Sequence, residues 1–334
     1  MSTTTGPSSC LGVRRQIAPF CGSEPAVPYA SDPGAVYMRP LAHVLGRQVS
    51  LRGLDDPEVE ANLELLASEG VSGAGVSDST SMELAAAITS SSGGRAMVEG
   101  VEPNMVVVCT DTLEGLEPTG WMTRYQHLSR TELTTTLMVS GHACANFVVG
   151  LETCRSLIAS GAADTVLLVT ADRISSGTRY TALSKSVFSD GAAACLVSTE
   201  PAVGSLKVLH SGMQGQAAPR DANGGMAEAR ATLLSMAAAT SRALGDGGMD
   251  GVRHVLSLNL GKTARALLAM AASVPPDEVR AGSAASLGHC FSADVLLGLE
   301  ELLAEESCRP GDRILVLTSG RHVQSAISLE CPQS

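Results

Sequence analysis

Apolar residues recur along much of this chain with a helical period, interrupted by short valine- and leucine-rich runs too brief for helices. Val59, Leu63 and Leu66 predict a helix over residues 57–67, and Met82, Leu84 and Ile88 another over 81–89. Phe147, Leu151, Cys154 and Ile158 share one face of a helix over 145–159 that closes at Gly161. Further helices are expected over 226–244, 263–272 and 293–304. The apolar runs at 105–110, 165–170, 254–258 and 313–318 read as buried strands, 188–197 as a turn into another, and 36–49 as containing the first. Strands alternating with helices predict an α/β fold, with a mostly parallel sheet covered on both faces. Residues 111–138 carry the only tryptophan, Trp121, and read as a long irregular segment. Two readings stand for it, a functional loop or a stretch whose Trp121 plugs a gap. Residues 1–33, rich in Ser, Thr, Pro and Gly, predict a loosely held N-terminal arm.

The pattern also repeats. Gly141-His142 leads through Gly150-Leu151-Glu152 to the run at 166–170 and Arg173; Gly288-His289 leads through Gly298-Leu299-Glu300 to the run at 314–318 and Arg321. From Gly150 onward the two copies keep a constant separation of 148 residues, and Val107-Val108 matches Val255-Leu256 upstream. The duplication predicts two similar halves, 34–200 and 201–334, each with its own sheet and related by a pseudo-two-fold. Two helix starts, each opening with Gly-His, would then face one another across one site.

Composition narrows the function. With 334 residues, 44% hydrophobic and 17% charged, the chain has the make-up of an ordinary enzyme with a large core. No apolar run approaches the roughly 18 residues of a membrane span and no basic-then-apolar leader opens the chain, so a cytoplasmic protein without membrane contact is expected. A net charge of -11 argues against nucleic acid as a partner. The nine cysteines show no CxxC pair and no metal-ligand cluster, and are expected as free thiols in a reducing compartment, with Cys109, Cys154 and Cys195 in the core.

Cys144 is the first candidate for chemistry. It stands at the start of the 145–159 helix behind the small residues Gly141 and Ala143. A thiol there meets unpaired backbone N–H groups and the positive end of the helix dipole, which favour thiolate, and its own N–H can face an attacked carbonyl. In the second copy His289 precedes the partner helix and Asp294 follows it by five residues, a spacing that lets the carboxylate hold one imidazole nitrogen while the other points at the site. Taken singly, Cys144 also reads as a buried helix-start cysteine, and His289 with Asp294 as a cap and its dipole complement. The symmetry of the two turns favours a nucleophile, a base and an orienting acid.

Gly-His-Ala-Cys-Ala-Asn-Phe around Cys144, the strand at 165–170, Phe188-Ser189-Asp190-Gly191-Ala192-Ala193-Ala194 and the ending Gly311-Asp312-Arg313-Ile314-Leu315 resemble the beta-ketoacyl-acyl carrier protein synthase III family of the thiolase superfamily. The resemblance spans roughly residues 36–330. It implies the five-layered αβαβα thiolase fold, a homodimer, and an acyl-cysteine charged from the phosphopantetheine thioester of an acyl carrier protein or coenzyme A, with no permanently bound cofactor. The condensing members pair their cysteine with a His and an Asn; here those positions hold Asn259 and His289, and Asp294 is added. That Cys-His-Asp pattern resembles a divergent branch of acyltransferases and starter-unit enzymes in polyketide and other natural-product pathways. An acyltransferase is therefore expected, delivering to a hydroxyl, an amine or a carrier-protein thiol. A decarboxylative condensing enzyme using malonyl thioester is the alternative, and an idle partner that only binds a carrier protein is a third reading. Catalytic Cys144, His289 and Asp294 would be supported by oxyanion donors from Cys144 and the Ser319–Gly320 loop, with Asn259 nearby. Arg253, Lys262 and Arg265 would dock a carrier protein or polyketide synthase carrier domain, or form a solvated helix face. His142 is expected to be structural, and residues 172–186, with Arg173, Arg179 and Tyr180, to line the acceptor side.

Overall fold

A computed structural model describes residues 34–98, 101–216, 226–280, 282–305 and 307–331; the arm expected over 1–33 lies outside them. The chain opens with strands β1 (Val36–Leu45) and β2 (Arg47–Ser50), helices α1 (Pro57–Ala61) and α2 (Leu63–Ser68), and strand β3 (Gly73–Val76). The helix expected over 57–67 is thus two, because Asn62 leaves helical geometry between them. Pro57 starts the first one, and the Asp56 carboxylate accepts from the Glu58 and Val59 amides, an N-cap written in the sequence. Helix α3 (Ser81–Val98), strand β4 (Met105–Cys109), helix α4 (Pro118–Ser129), strand β5 (Thr135–Val139), helix α5 (Asn146–Ala159) and strand β6 (Thr165–Asp172) follow. The short β7 (Tyr180–Thr181) and β8 (Ser186–Val187) lead to β9 (Gly191–Ser198).

The remainder comprises β10 (Leu206–Gly215), α6 (Met226–Leu244), β11 (Val252–Ser257), α7 (Lys262–Ala271), β12 (Val279–Arg280), α8 (Ala284–Leu287), α9 (Asp294–Ala304), β13 (Arg313–Ser319) and β14 (Val323–Glu330). Residues 111–138 are therefore not an irregular loop: they hold α4 and β5. Trp121 is fully buried and stacks on Tyr125 at 5.4 Å, in an apolar cluster with residues of α3 and the sheet, and α4 packs mainly on α3. The polar α4 sequence hides this, since its buried residues are Trp121, Tyr125 and Ser129 alone.

Two five-strand groups of identical order, β5-β4-β6-β9-β1 and β12-β11-β13-β14-β10, are joined edge to edge. The join is short, Val36 to Met38 of β1 against Leu206 to Val208 of β10, and turns the two expected sheets into one continuous ten-stranded ladder. Nor is the ladder mostly parallel. Pairing is parallel only among β5, β4 and β6 and among β12, β11 and β13; every other junction in the ladder is antiparallel. The reason is the connections. No helix crosses over between β6 and β9, and β13 turns directly into β14, with the Gly320 amide donating to the Val323 carbonyl.

Helices α5 and α9 lie in the middle of the molecule. The first packs on β4, β6, β9 and β14, the second on β11, β1 and β9. Helix α3 covers the outside of one strand group and α6 the outside of the other. The result is the five-layered α/β arrangement expected of a thiolase-like chain. Phe147, Leu151, Cys154 and Ile158 of α5 and Val295, Leu296, Leu299 and Leu302 of α9 fill one shared core. Among the described residues no helix is long and apolar enough to cross a membrane.

The cysteine expectation fails at one place. Cys308 and Cys331 form a disulfide. The β13–β14 hairpin returns the chain beside the loop after α9, where Gly311 donates to the Cys331 carbonyl at 2.8 Å. Nothing in the spacing announces a pair brought together only by that hairpin. Cys109, Cys154 and Cys195 are buried free thiols, and burial pushes all three well up from the usual thiol range.

Candidate active site

The site lies beyond the C-terminal ends of β4, β11 and β13, the usual place for ligands on parallel strands. Helices α5 and α9 each begin there with a single 3-10 turn, Ala143–Ala145 and Phe291–Ala293, and the two turns touch. Cys144 sits in the first turn, 7% exposed. Its Sγ lies 2.9 Å from Nε2 of His289. The other imidazole nitrogen, Nδ1, lies 2.5 Å from Oδ2 of Asp294 at the first position of α9. His289 is 2% exposed and Asp294 1%. The three residues form one hydrogen-bonded line from thiol to imidazole to carboxylate.

The carboxylate is fixed by the backbone. Asp294 Oδ2 also accepts from the Asn259 amide at 2.8 Å, and Oδ1 from the Cys290 amide at 2.9 Å. Backbone bonds fix His289 as well: its amide donates to the Val187 carbonyl and its carbonyl accepts from the Ser189 amide, each at 2.8 Å. Gly288 makes that approach possible. It adopts φ +63°, and a Cβ there would stand 2.5 Å from the Val187 carbonyl oxygen.

Burial pushes the His289 imidazole down. The Cys144 sulfur and the Asp294 carboxylate more than offset this, and the net result is a rise from 6.5 to about 10. The resting imidazole is therefore protonated at neutral pH, held between the Cys144 sulfur and the Asp294 carboxylate.

The turn that carries Cys144 has a holder that sequence reasoning missed. The Asp111 carboxylate accepts from the Gly141 amide (2.5 Å), the Ser140 hydroxyl (2.9 Å) and the Ala143 amide (2.7 Å). Burial pushes this acid up, but those donors outweigh it and hold it below the usual carboxylate range. Asp111 is 148 residues before Asn259, so the repeat itself could have marked it. His142 serves the turn through its main chain: its amide donates to Asn146 Oδ1 at 3.1 Å and its carbonyl accepts from Ala145.

The repeat is in better register than the two Gly-His pairs suggest. Ala143 and Phe291 share a left-handed φ, 51° and 52°. The amide of His142 bonds to Asn146 Oδ1 as that of Cys290 bonds to Asp294 Oδ1. The 148-residue offset thus runs unbroken through both turns, pairing Cys144 with Ser292 and Asn146 with Asp294. His289 has Gly141 as its counterpart rather than His142.

Other expected residues divide. Asn259 is at the site, 3% exposed, with its side-chain amide nitrogen buried and lacking a hydrogen-bond partner. Gly320 is there too, and a Cβ on it would meet the His142 carbonyl oxygen at 2.4 Å. Its N–H is not an oxyanion donor, however, because it is spent on Val323 in the hairpin. Ser319 closes β13 opposite Gln324. Lys262 is exposed at the start of α7 with its side chain over Gly70, and Arg265 one turn on donates to the Leu260 carbonyl. Arg253 does not join them. It lies near the opposite end of β11, six residues before Asn259 and roughly 20 Å away along an extended chain. The arginines expected on the acceptor side are also committed elsewhere: Arg179 forms a two-pronged pair with buried Asp190 at 2.8 and 2.7 Å, and Arg173 donates to the Ser79 carbonyl. No cluster of metal-ligating side chains occurs among the described residues.

Residues 140–216, which include Cys144, match the family model of 3-oxoacyl-[acyl-carrier-protein (ACP)] synthase III. Among solved structures, the chain is similar to 3-oxoacyl-(acyl carrier protein) synthase III, FabH, from Pseudomonas aeruginosa PAO1, at 21% identity and a TM-score of 0.71, covering 90% of this chain and 99% of that one. It is similar to ChlB3, an acyltransferase, at 18% identity and a TM-score of 0.68, covering 90% and 98%. OleA E117Q from Xanthomonas campestris gives 14% identity and a TM-score of 0.70, covering 89% and 98%. No curated protein matches the sequence. At these identities the structures establish a shared fold. That fold is the one seen in 3-oxoacyl-(acyl carrier protein) synthase III.

Proposed function

We propose that this chain, synthase III-like in fold and in its nucleophile segment, is an acyltransferase working by two half-reactions through acyl-Cys144. The observation that carries the reading is the Cys144–His289–Asp294 line, in which the imidazole touches the sulfur on one side and an immobilised carboxylate on the other. ChlB3, which shares the fold, is an acyltransferase by name.

In the first half-reaction the Cys144 sulfur attacks the carbonyl of a phosphopantetheine thioester. The Cys144 N–H, at the opening turn of α5, receives the developing oxyanion. The bond to the pantetheine sulfur breaks, and the imidazolium of His289 gives its proton to that leaving thiolate. Acylation also removes the sulfur charge that helped hold the proton on His289. The imidazole is thereby converted from acid to base for the second step. An acceptor hydroxyl, amine or thiol attacks the acyl carbonyl, its proton passes to His289, and Cys144 departs as thiolate beside the restored imidazolium. Asp294 stabilises that cation and keeps the ring aimed.

The acceptor belongs to natural-product assembly of polyketide type, and the donor is a carrier protein or coenzyme A thioester. Lys262 and Arg265, at the site end of α7, are the carrier-docking candidates that the geometry favours over Arg253. A cytoplasmic homodimer completes the reading. Decarboxylative condensation is the second reading, favoured by the unpartnered Asn259 side-chain nitrogen, a donor free for a malonyl thioester oxygen.

Intact mass after incubation with acyl-carrier protein or acyl-coenzyme A tests both. Transfer predicts an adduct on Cys144 that discharges to an acceptor, and His289→Ala that still acylates but fails to discharge. Carbon dioxide release with chain extension from malonyl thioester would replace transfer with condensation. No adduct with any donor would leave only carrier binding.

A further inference from the structure

Two of the chain's four phenylalanines meet beside the base. Phe188 and Phe291 stack with ring centroids 4.6 Å apart and planes within 8°. The His289 imidazole lies 5.5 Å from the first and 5.9 Å from the second, tilted by 34° and 30°. Both phenyl rings are half-buried, while the imidazole of His289 beside them is almost covered, as is the Cys144 sulfur on the far side of its Nε2 contact. Neither ring belongs to a buried core cluster. Phe188 is held in place by its own backbone: its amide donates to the Arg179 carbonyl, its carbonyl accepts from the Arg179 guanidinium, and it bridges to His289.

Phe291 sits where a bulky side chain is costly. At φ 52° it is left-handed, a conformation disfavoured for residues with a Cβ. Its counterpart Ala143 makes the same turn with a methyl group. The turn therefore does not require a large residue, and a strained aromatic kept beside a base points to a role at the site.

We infer that Phe188 and Phe291 form a water-excluding wall over the Cys144–His289 pair, which preserves acyl-Cys144 for its acceptor. The inference rests on the acyl-transfer reading. Hydrolysis is the same reaction with water as acceptor: the water oxygen bonds to the acyl carbon, the carbon–sulfur bond to Cys144 breaks, and the water proton passes to His289. The base has no means of discriminating between the two, so only access does. Two stacked phenyl rings packed against the imidazole offer no strong hydrogen-bonding partner to a water that would approach that base.

The test is the lifetime of the adduct without acceptor. Wild type, Phe188→Ala, Phe291→Ala and Phe291→Leu are charged with an acyl-coenzyme A and followed by intact mass, with Tm measured alongside. The alanine variants should still acquire the adduct but lose it to water faster by about tenfold or more, while Phe291→Leu, which restores apolar bulk, should decay close to the wild-type rate. Equal decay in all four overturns the wall and leaves acyl transfer standing. Absence of an adduct in wild type overturns both.

Discussion

Asn146 and Asp294 occupy the same position in two copies of one turn, each opening a central helix and each accepting the amide four residues before it. One differs from the other by an amide in place of a carboxylate. Asp294→Asn therefore converts the second turn to the chemistry of the first. The Cys290 amide keeps its acceptor, the Asn259 amide loses the one it had at Oδ2, and the fold should hold at that local cost. The imidazole loses its anionic partner, and transfer should fall by a factor on the order of 10³–10⁴, the scale seen when an orienting carboxylate becomes an amide. Single-turnover discharge of acyl-Cys144 measures this; a loss below tenfold would remove Asp294 from the mechanism.

The proton on His289 should respond to the state of Cys144. The folded value, raised to about 10 from 6.5, means an imidazolium throughout the neutral range. By linkage, the stability gained from this charge is fully present below pH 6.5 and is lost as pH rises through about 10. Alkylating Cys144 with iodoacetamide leaves a neutral thioether and removes one of the two interactions that hold the proton. Histidine nitrogen NMR should show the His289 titration moving to lower pH after alkylation. An unchanged titration would mean that the sulfur does not govern the base.

Much of this arrangement was legible in the sequence, because it follows from periodicity and repetition. The apolar face of α5 and the valine runs of β4 and β6 each specify one element without reference to the rest. Other parts depend on partners far away in sequence. Strand β5, one edge of the ladder, and α4, whose buried face is mainly Trp121 and Tyr125, carry too few apolar positions to declare a period. The disulfide needs the β13–β14 hairpin to exist first. At the site, Cys144, His289 and Asp294 stood out by residue type and spacing. Asp111 and the Phe188–Phe291 stack did not, since a carboxylate that caps a remote turn and two rings that meet across 103 positions leave no local signature. Gly320 was placed in the right neighbourhood for the wrong reason: its small size lets the hairpin touch His142, while its N–H is already used.

Asp111 gives a prediction separable from the base. Its carboxylate collects Gly141, Ser140 and Ala143, so Asp111→Ala frees the turn that aims Cys144. Acylation should slow by about tenfold to a hundredfold, the penalty of misplacing a reacting group by about an ångström. Discharge of whatever adduct forms should change less, because His289 and Asp294 are held by other elements. Rapid-quench mass spectrometry resolves the two steps; equal slowing of both would assign Asp111 a general structural role.

Asp172 lies directly behind Asp111 and carries the opposite shift. It is buried at 3% exposure, and loss of solvent pushes its carboxyl up to about 7, against the hydrogen bonds it accepts from the Asp111 amide and from the Thr112 and Thr110 hydroxyls. Folding therefore favours the protonated acid. Between the unfolded value near 3.8 and the folded value near 7 the native state binds more protons than the unfolded chain, so stability from this group falls as pH rises through that window. Asp172→Asn keeps an oxygen to accept the same three donors and removes the ionisation. The variant should match wild type near pH 4, gain on it progressively to pH 7, and hold a constant advantage above. Urea midpoints at a series of pH values would show this divergence; parallel curves across the window would mean that Asp172 is ionised in the native state and compensated by its donors.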